Sequence, residues 1–154
     1  MSLLSLDISG IKLKSRLTNK GVNFLMSKML GTRFLNVDLD IRAKYGLEEL
    51  LEAFGSKVID LKCQNEGCLS LEAAEQSQSV DGAILEFFNI ICALPPKERS
   101  IWDVCEKRSM NIGIQAGTFP YSENFCLSSE TIKILSSMNV EIIFTVYAAD
   151  LSKD

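Results

Sequence analysis

The stretch Arg33-Phe-Leu-Asn-Val-Asp-Leu-Asp-Ile-Arg42 has the clearest two-residue periodicity in the chain. Successive side chains of a β-strand point to opposite sides, so this alternation predicts a strand with one buried and one solvent-facing side. The fold is therefore expected to be built around a sheet of which this strand is a part. The residues of the apolar side are Leu35, Val37, Leu39 and Ile41, and those of the polar side are Asn36, Asp38, Asp40 and Arg42.

Beyond this strand, the spacing of apolar residues predicts an alternation of helices and further strands. Helices are indicated where apolar side chains recur at i, i+3 and i+4, and strands where they recur at every second position. Leu94-Pro95-Pro96 separates two predicted helices, because Pro96 suits the first turn of the second one. The predicted helices cover residues 47–54, 79–94, 96–107 and 129–138, and the predicted strands cover residues 57–63, 68–74, 110–116 and 140–148.

Several residues mark the ends of these elements. Ser79 and Ser128 are suitable N-caps, because a hydroxyl oxygen accepts a hydrogen bond from a free N–H group of the first helical turn. Gly55 and Asn139 accept the left-handed conformation that ends many helices. The last strand carries apolar side chains on both faces, which predicts a central position in the sheet.

The order of the elements predicts an α+β fold. From residue 33 onward, the first six elements match the split βαβ arrangement of ferredoxin-like folds. Helices that are apolar on one side bury that side against one face of a sheet. We therefore expect a two-layer sandwich, with a ferredoxin-like βαββαβ core extended by a C-terminal αβ unit, as a single domain over residues 1–154. For the N-terminal extension, residues 1–32, both a bulged strand or hairpin and a helix over residues 17–30 remain open.

Composition excludes several classes of mechanism. The chain contains no histidine, so it has no Ser-His-Asp triad, no Cys-His pair and no imidazole metal ligand. No apolar run approaches the roughly 18 residues that span a membrane. Asp7 interrupts the stretch that a signal peptide would keep apolar. The expected location is the cytoplasm.

Cysteine spacing offers one candidate cluster. Cys63 and Cys68 flank a predicted turn near Gly67, a spacing that fits a zinc half-site, a redox pair or two unrelated thiols. No second pair and no histidine complete a set of four ligands, so no metal and no cofactor are expected. Cys92 and Cys105 occupy helix-patterned positions, where a free cysteine packs as a small apolar residue.

The charge of the chain is unevenly distributed. Six Lys and Arg face one Asp in residues 1–35, whereas eleven acidic residues face four basic ones in residues 36–86. Binding of nucleic acid is not expected, because the basic segment has few aromatic residues and the net charge is −4. The acidic middle segment fits either a solvated surface or a docking face for a cationic protein.

Two sets of residues are candidates for partner contacts. Asp38 and Asp40 share one face of the first strand, and paired carboxylates of this kind bind cationic groups, hold divalent metals or simply face water. Tyr121 and Phe125 lie in a long loop, where aromatic side chains either contact partners or pack under the sheet. The acidic residues that follow the first strand complete the predicted docking surface: Glu48, Glu49 and Glu52.

Several motifs in residues 33–148 carry a family resemblance. They are Val37-Asp-Leu-Asp-Ile41, Ala53-Phe-Gly55, Leu94-Pro-Pro96 before Ile101-Trp-Asp103, Asn111-Ile-Gly-Ile-Gln-Ala-Gly117, and Leu127-Ser-Ser-Glu-Thr-Ile132 before residues 140–147. In these motifs the chain resembles small bacterial α/β domains of unknown function, some of which look like immunity proteins of polymorphic toxin systems. The resemblance implies a cytoplasmic binding protein that is not an enzyme.

The predicted function is therefore neutralisation of a cationic toxin domain by occlusion. Two other classes remain open at this point. One is a small-ligand or divalent-metal-dependent enzyme that uses carboxylates such as Asp38 and Asp40. The other is a homo-oligomeric module, for instance a homodimer, in which an exposed strand pairs across a two-fold axis.

Overall fold

The computed structural model describes residues 31–63, 65–117 and 122–148, and the predicted N-terminal extension lies outside these ranges except for its last two residues. Within them the chain is an α+β protein with five strands and four helices. The elements in chain order are β1 (Arg33–Arg42), α1 (Leu47–Phe54), β2 (Val58–Asp60), β3 (Cys68–Ala73), α2 (Val80–Cys92), α3 (Pro96–Asp103), β4 (Lys107–Gln115), α4 (Ser129–Met138) and β5 (Glu141–Tyr147).

The five strands form one mixed sheet in the order β2-β3-β1-β4-β5. Strand β1 lies in the middle and runs antiparallel to both β3 and β4. Strand β2 is antiparallel to β3, and β5 is parallel to β4. The parallel pair needs a crossover connection, which α4 provides.

The helices bury the sheet on one face. Helix α2 packs on β1 and β3 and contacts α4, whereas α1 packs against α3. From β1, Val37, Leu39 and Ile41 point into this core, as the alternating pattern predicts. Their polar neighbours lie on the opposite face. The α+β prediction is thus confirmed, with helices and sheet forming the layers around one hydrophobic core.

The helix ends follow the predicted capping residues. Ser79 Oγ accepts a hydrogen bond from the N–H of Gly82 at 3.1 Å, and Ser128 Oγ accepts one from the N–H of Thr131 at 3.1 Å. Gly55 and Asn139 both have positive φ angles at helix C-termini. None of the helices in the described ranges has the length and apolarity that crossing a bilayer requires.

Strand β1 contains a β-bulge that exposes Leu35, a residue that the alternating pattern predicts to be buried. Phe34 pairs with Ile114 and Val37 pairs with Ile112, so the two residues between them, Leu35 and Asn36, oppose Gly113 alone. The extra residue shifts the alternation by one position. As a result Phe34 packs against the core, and Leu35 is 37% exposed.

Gly113 leaves space for the side chain of Asn36 at this bulge. A Cβ atom on Gly113 would lie 2.7 Å from Asn36 Oδ1. We expect Gly113→Ala to displace the Asn36 amide and to lower the free energy of unfolding by about 1 kcal/mol, as overpacking does. Urea denaturation measures this change. In the Asn36→Ala background the added methyl group should be harmless, so an equal loss of stability on adding Gly113→Ala to Asn36→Ala would contradict this account.

Four further predictions from the sequence differ from the structure. Among the described residues, strand β5 pairs with β4 alone and lies at an edge of the sheet, where the sequence predicts a central position. Helix α3 ends at Asp103 and not at Lys107, which is instead the first residue of β4. Val104, which the sequence places on the packing side of the helix, is exposed. Cys92 is exposed, whereas Cys105 is buried as expected. Strand β2 is also shorter than predicted, since Lys62 adopts a left-handed backbone conformation beyond it.

Candidate functional site

Three carboxylates cluster on the face of the sheet that the helices leave open. Asp38 and Asp40 come from β1, and Glu72 comes from β3, where it lies directly opposite Asp38. Directly opposed side chains of antiparallel strands are about 4.5–5.5 Å apart at their Cβ atoms. We call Asp38, Asp40 and Glu72 the acidic cluster.

Neutral side chains satisfy the carboxylates of the acidic cluster. Asn36 Nδ2 donates to Asp38 Oδ1 at 2.8 Å and to Glu72 Oε1 at 3.4 Å. Ser70 Oγ donates to Asp40 Oδ1 at 2.6 Å. None of the ion pairs formed among the described residues involves a member of the cluster. Within that part of the chain, the three carboxylates therefore have no ion-pair partner.

The surroundings of Asp38 change its pKa. Partial burial, followed by repulsion from Glu72 and from Asp40, raises the pKa of Asp38 to about 6. Burial disfavours the charged form because the carboxylate loses water, and each neighbouring carboxylate adds to that cost. Asp38 is thus mostly ionised at neutral pH but takes up a proton in mild acid. Perturbed carboxyl groups of this kind are concentrated at functional sites.

The open face continues from the acidic cluster across β4 and β5. Asn111 and Ser109 lie opposite Asp38 and Asp40, and Thr145 Oγ1 donates to Asn111 Oδ1 at 2.7 Å. At the far end of the face, Lys107 pairs with Glu141 at 3.0 Å. A cavity of about 400 Å³ opens here, and its lining includes Asp40, Arg42, Cys63, Cys68, Lys107 and Ser109. The face therefore passes from acidic at its centre to mixed charge at this end.

The structure separates the predicted docking residues into two groups. Asp38 and Asp40 lie on the open face of the sheet. Glu48, Glu49 and Glu52 lie on the exposed side of α1, whose Leu50 and Phe54 enter the core on the opposite face of the sheet. The two acidic groups are therefore in different layers and do not form one surface.

The two predicted aromatic contacts do not join either group. Phe125 packs against the hydrophobic core, the second of the two arrangements that the sequence leaves open. Tyr121 lies outside the described residues.

Sequence reasoning missed Glu72 and Asn36 as members of the site. The pattern of β3, Cys68-Leu-Ser-Leu-Glu-Ala73, already places Ser70 and Glu72 on the polar side of a strand. Their contact with Asp38 and Asp40 depends on the pairing of β3 with β1, which nothing in either strand's own pattern specifies.

The described residues contain no group of three or more Cys, Asp or Glu side chains that is arranged to hold a metal ion. Cys63 and Cys68 are both free thiols. They contribute to the lining of the same cavity at the end of the open face.

Comparison of the chain with protein-family models, with curated proteins and with solved structures finds no match. The fold and the site by themselves define its class. It is an α+β protein with a sheet that is covered by helices on one face and that carries, on the other, an acidic cluster without ion pairs to any described residue.

Proposed function

We propose that this chain is a non-enzymatic binding protein whose open sheet face docks a cationic protein, as an immunity protein occludes a toxin domain. The observation that carries the proposal is the acidic cluster. It holds three carboxylates, the pKa of Asp38 is raised there, and no described Lys or Arg forms an ion pair with any of the three. Lys or Arg side chains of a partner would supply the missing charge through short, charge-assisted hydrogen bonds.

Docking of a cation at Asp38 is coupled to its protonation. A neighbouring positive charge favours the carboxylate and lowers its pKa, so the complex binds fewer protons than the free protein. Affinity should therefore be highest above pH 6 and should fall as the pH drops through the pKa of free Asp38 at about 6. For a single coupled proton, the limiting fall is about tenfold per pH unit.

The proposal includes a fold assignment and a location. Strands β1 and β2 both run antiparallel to β3, which lies between them, so β1-α1-β2 is a βαβ unit split by a third strand. This arrangement supports the ferredoxin-like core. The five free cysteines support a reducing compartment such as the cytoplasm.

Affinity capture with two matched triple variants tests the docking face. One variant neutralises the acidic cluster, Asp38→Asn with Asp40→Asn and Glu72→Gln. The other neutralises the same number of charges on α1, Glu48→Gln with Glu49→Gln and Glu52→Gln. The wild-type chain should retain a basic protein from the cells that produce it, and the purified pair should bind directly. We expect the open-face variant to lose at least about tenfold in affinity and the α1 variant to change little.

The matched variants distinguish a specific face from general charge attraction. Equal losses in the two variants would contradict the open face as the docking site, because both carry the same net charge. Retention of full affinity by the open-face variant would contradict it directly. Measuring the affinity of the wild-type chain at about pH 7.5 and at about pH 5.5 gives a second criterion, because the proton uptake by Asp38 should weaken binding at the lower pH.

A further inference from the structure

Strand β5 forms an apolar edge of the sheet in the part of the chain that the structure describes. Within the described residues it pairs with β4 along one side and with no strand along the other. Four of its seven side chains are large, apolar and exposed: Ile143 (38%), Phe144 (52%), Val146 (62%) and Tyr147 (47%). They lie on both faces of the strand, because Phe144 and Val146 alternate with the other two.

The other edge of the sheet shows how such an exposed strand is normally protected. Strand β2 has only three residues, and it ends at Asp60, whose carboxylate accepts hydrogen bonds from both the backbone N–H and the ammonium group of Lys62. Short length and charge are two devices that prevent edge-to-edge pairing. In β5, by contrast, no charged residue and no proline occur between Ile142 and Tyr147.

The free edge of β5 also offers regular hydrogen-bonding groups. The carbonyl oxygen of Tyr147 accepts from the N–H of Ala116 next to β4, so the backbone groups of the odd-numbered residues point toward β4. Successive residues of a strand alternate in this direction. The N–H and C=O groups of Ile142, Phe144 and Val146 therefore point to the outer edge.

We propose that a second copy of this chain pairs with this edge, so that two β5 strands run antiparallel across a two-fold axis at Phe144. In this register Phe144 lies opposite its own copy, and Ile142 lies opposite Val146. Glu141 lies opposite Tyr147 and Ile143 opposite Thr145, so no like charges face each other, and the pairs that Ile142, Phe144 and Val146 form are all apolar. A surface that is complementary to itself in this way is what a two-fold dimer requires.

The proposed dimer does not depend on the proposed docking function. It would, however, determine how the two open faces are arranged for docking. A two-fold axis perpendicular to a continuous sheet keeps the open faces of both copies on the same side. The ten-stranded sheet would then present two acidic clusters on one surface, which suits a partner with two basic patches or two partner molecules. The paired area of a single strand edge is small, so we expect a dimer of roughly micromolar affinity.

Sedimentation velocity of the full chain between about 1 μM and about 1 mM tests the dimer. The expected result is a reversible monomer–dimer equilibrium. Phe144→Lys places two like charges directly opposite each other, and it should raise the dissociation constant at least about tenfold. Phe144→Glu should act in the same way. An equimolar mixture of the two variants should regain the dimer, because the Lys and Glu side chains then face each other.

Ile59→Lys is the matched control, since Ile59 is the exposed apolar residue of the other edge strand, β2. It should leave the dissociation constant unchanged. If a Phe144 variant fails to fold, Val146→Pro replaces it, because this proline removes an N–H that points away from β4. A monomer at every concentration would overturn the proposal, whether the edge is covered by residues 1–30 or by another protein. A dimer that survives the Phe144 or Val146 changes, or one lost in Ile59→Lys, would overturn it as well.

Discussion

Asp38→Asn is expected to make the protein more stable at neutral pH. The substitution removes a charge that is partly buried and repelled by Glu72 and Asp40, while the Asn36 amide keeps an oxygen to which it donates. The raised pKa corresponds to about 3 kcal/mol for a fully shielded group. Solvent screening at this half-buried position reduces the expected gain in the free energy of unfolding to about 1–2 kcal/mol.

The gain depends on pH in a direction that the pKa determines. The pKa of Asp38 rises from 3.8 to about 6 on folding, so between these values the native state binds more protons than the unfolded state. The contribution of Asp38 to stability therefore falls as the pH rises through this window and levels off above it. The difference between Asp38→Asn and wild type should be near zero below about pH 4 and complete above about pH 7.

Urea denaturation of both proteins across this pH range measures the effect. Glu52→Gln on the exposed side of α1 is the control, and it should change stability by less than about 0.5 kcal/mol at any pH. A loss of stability in Asp38→Asn, or a gain that does not vary with pH, would show that Asp38 is not held at a cost. A gain of stability that depends on pH as described would mean that Asp38 destabilises the folded protein, as residues at functional sites often do.

Arg108→Ala is expected to cost about 3 kcal/mol of stability through lost packing, stacking and hydrogen bonding. Arg108 is only 8% exposed, and its Nη1 donates to the carbonyl oxygen of Trp102 at 2.7 Å. Its guanidinium carbon lies 5.4 Å from the centroid of the Trp102 ring, within the range of a cation–π contact. The carbonyl of Trp102 belongs to the last turn of α3, where a positive charge also complements the helix dipole.

Two further substitutions separate the contributions of this side chain. Arg108→Met retains most of the volume and removes a buried charge that no described carboxylate pairs with, so it should cost about 1 kcal/mol or less. Arg108→Lys should lie between the other two, because an ammonium group cannot stack flat on the ring. Trp102 is the only tryptophan of the chain, and its fluorescence reports unfolding directly. Equal losses in the Met and Ala variants would contradict a packing role.

The local features of this fold could be predicted because they depend on neighbouring residues. Ser79 and Ser128 cap helices through hydrogen bonds that span three residues, and Gly55 and Asn139 end helices through their own backbone freedom. Two of the three carboxylates of the acidic cluster were accessible in the same way, since the alternation in β1 already places Asp38 and Asp40 on the polar side. Glu72 could not be joined to them, because a residue 34 positions away comes into contact only when β3 pairs with β1.

From β1 onward, the sequence by itself determined the identity of the elements, the capping residues of several helix ends and the polar face of β1, since short-range periodicity and capping depend on residues a few positions apart. Only the tertiary structure decided which carboxylates meet, where the bulge at Leu35 and Asn36 shifts the alternation, and that β5 lies at an edge among the described strands. Apolar side chains on both faces of β5 are equally compatible with burial between two strands and with an exposed edge. Strand pairing resolves this choice, because it is a property of long-range contacts that no single segment of the chain contains.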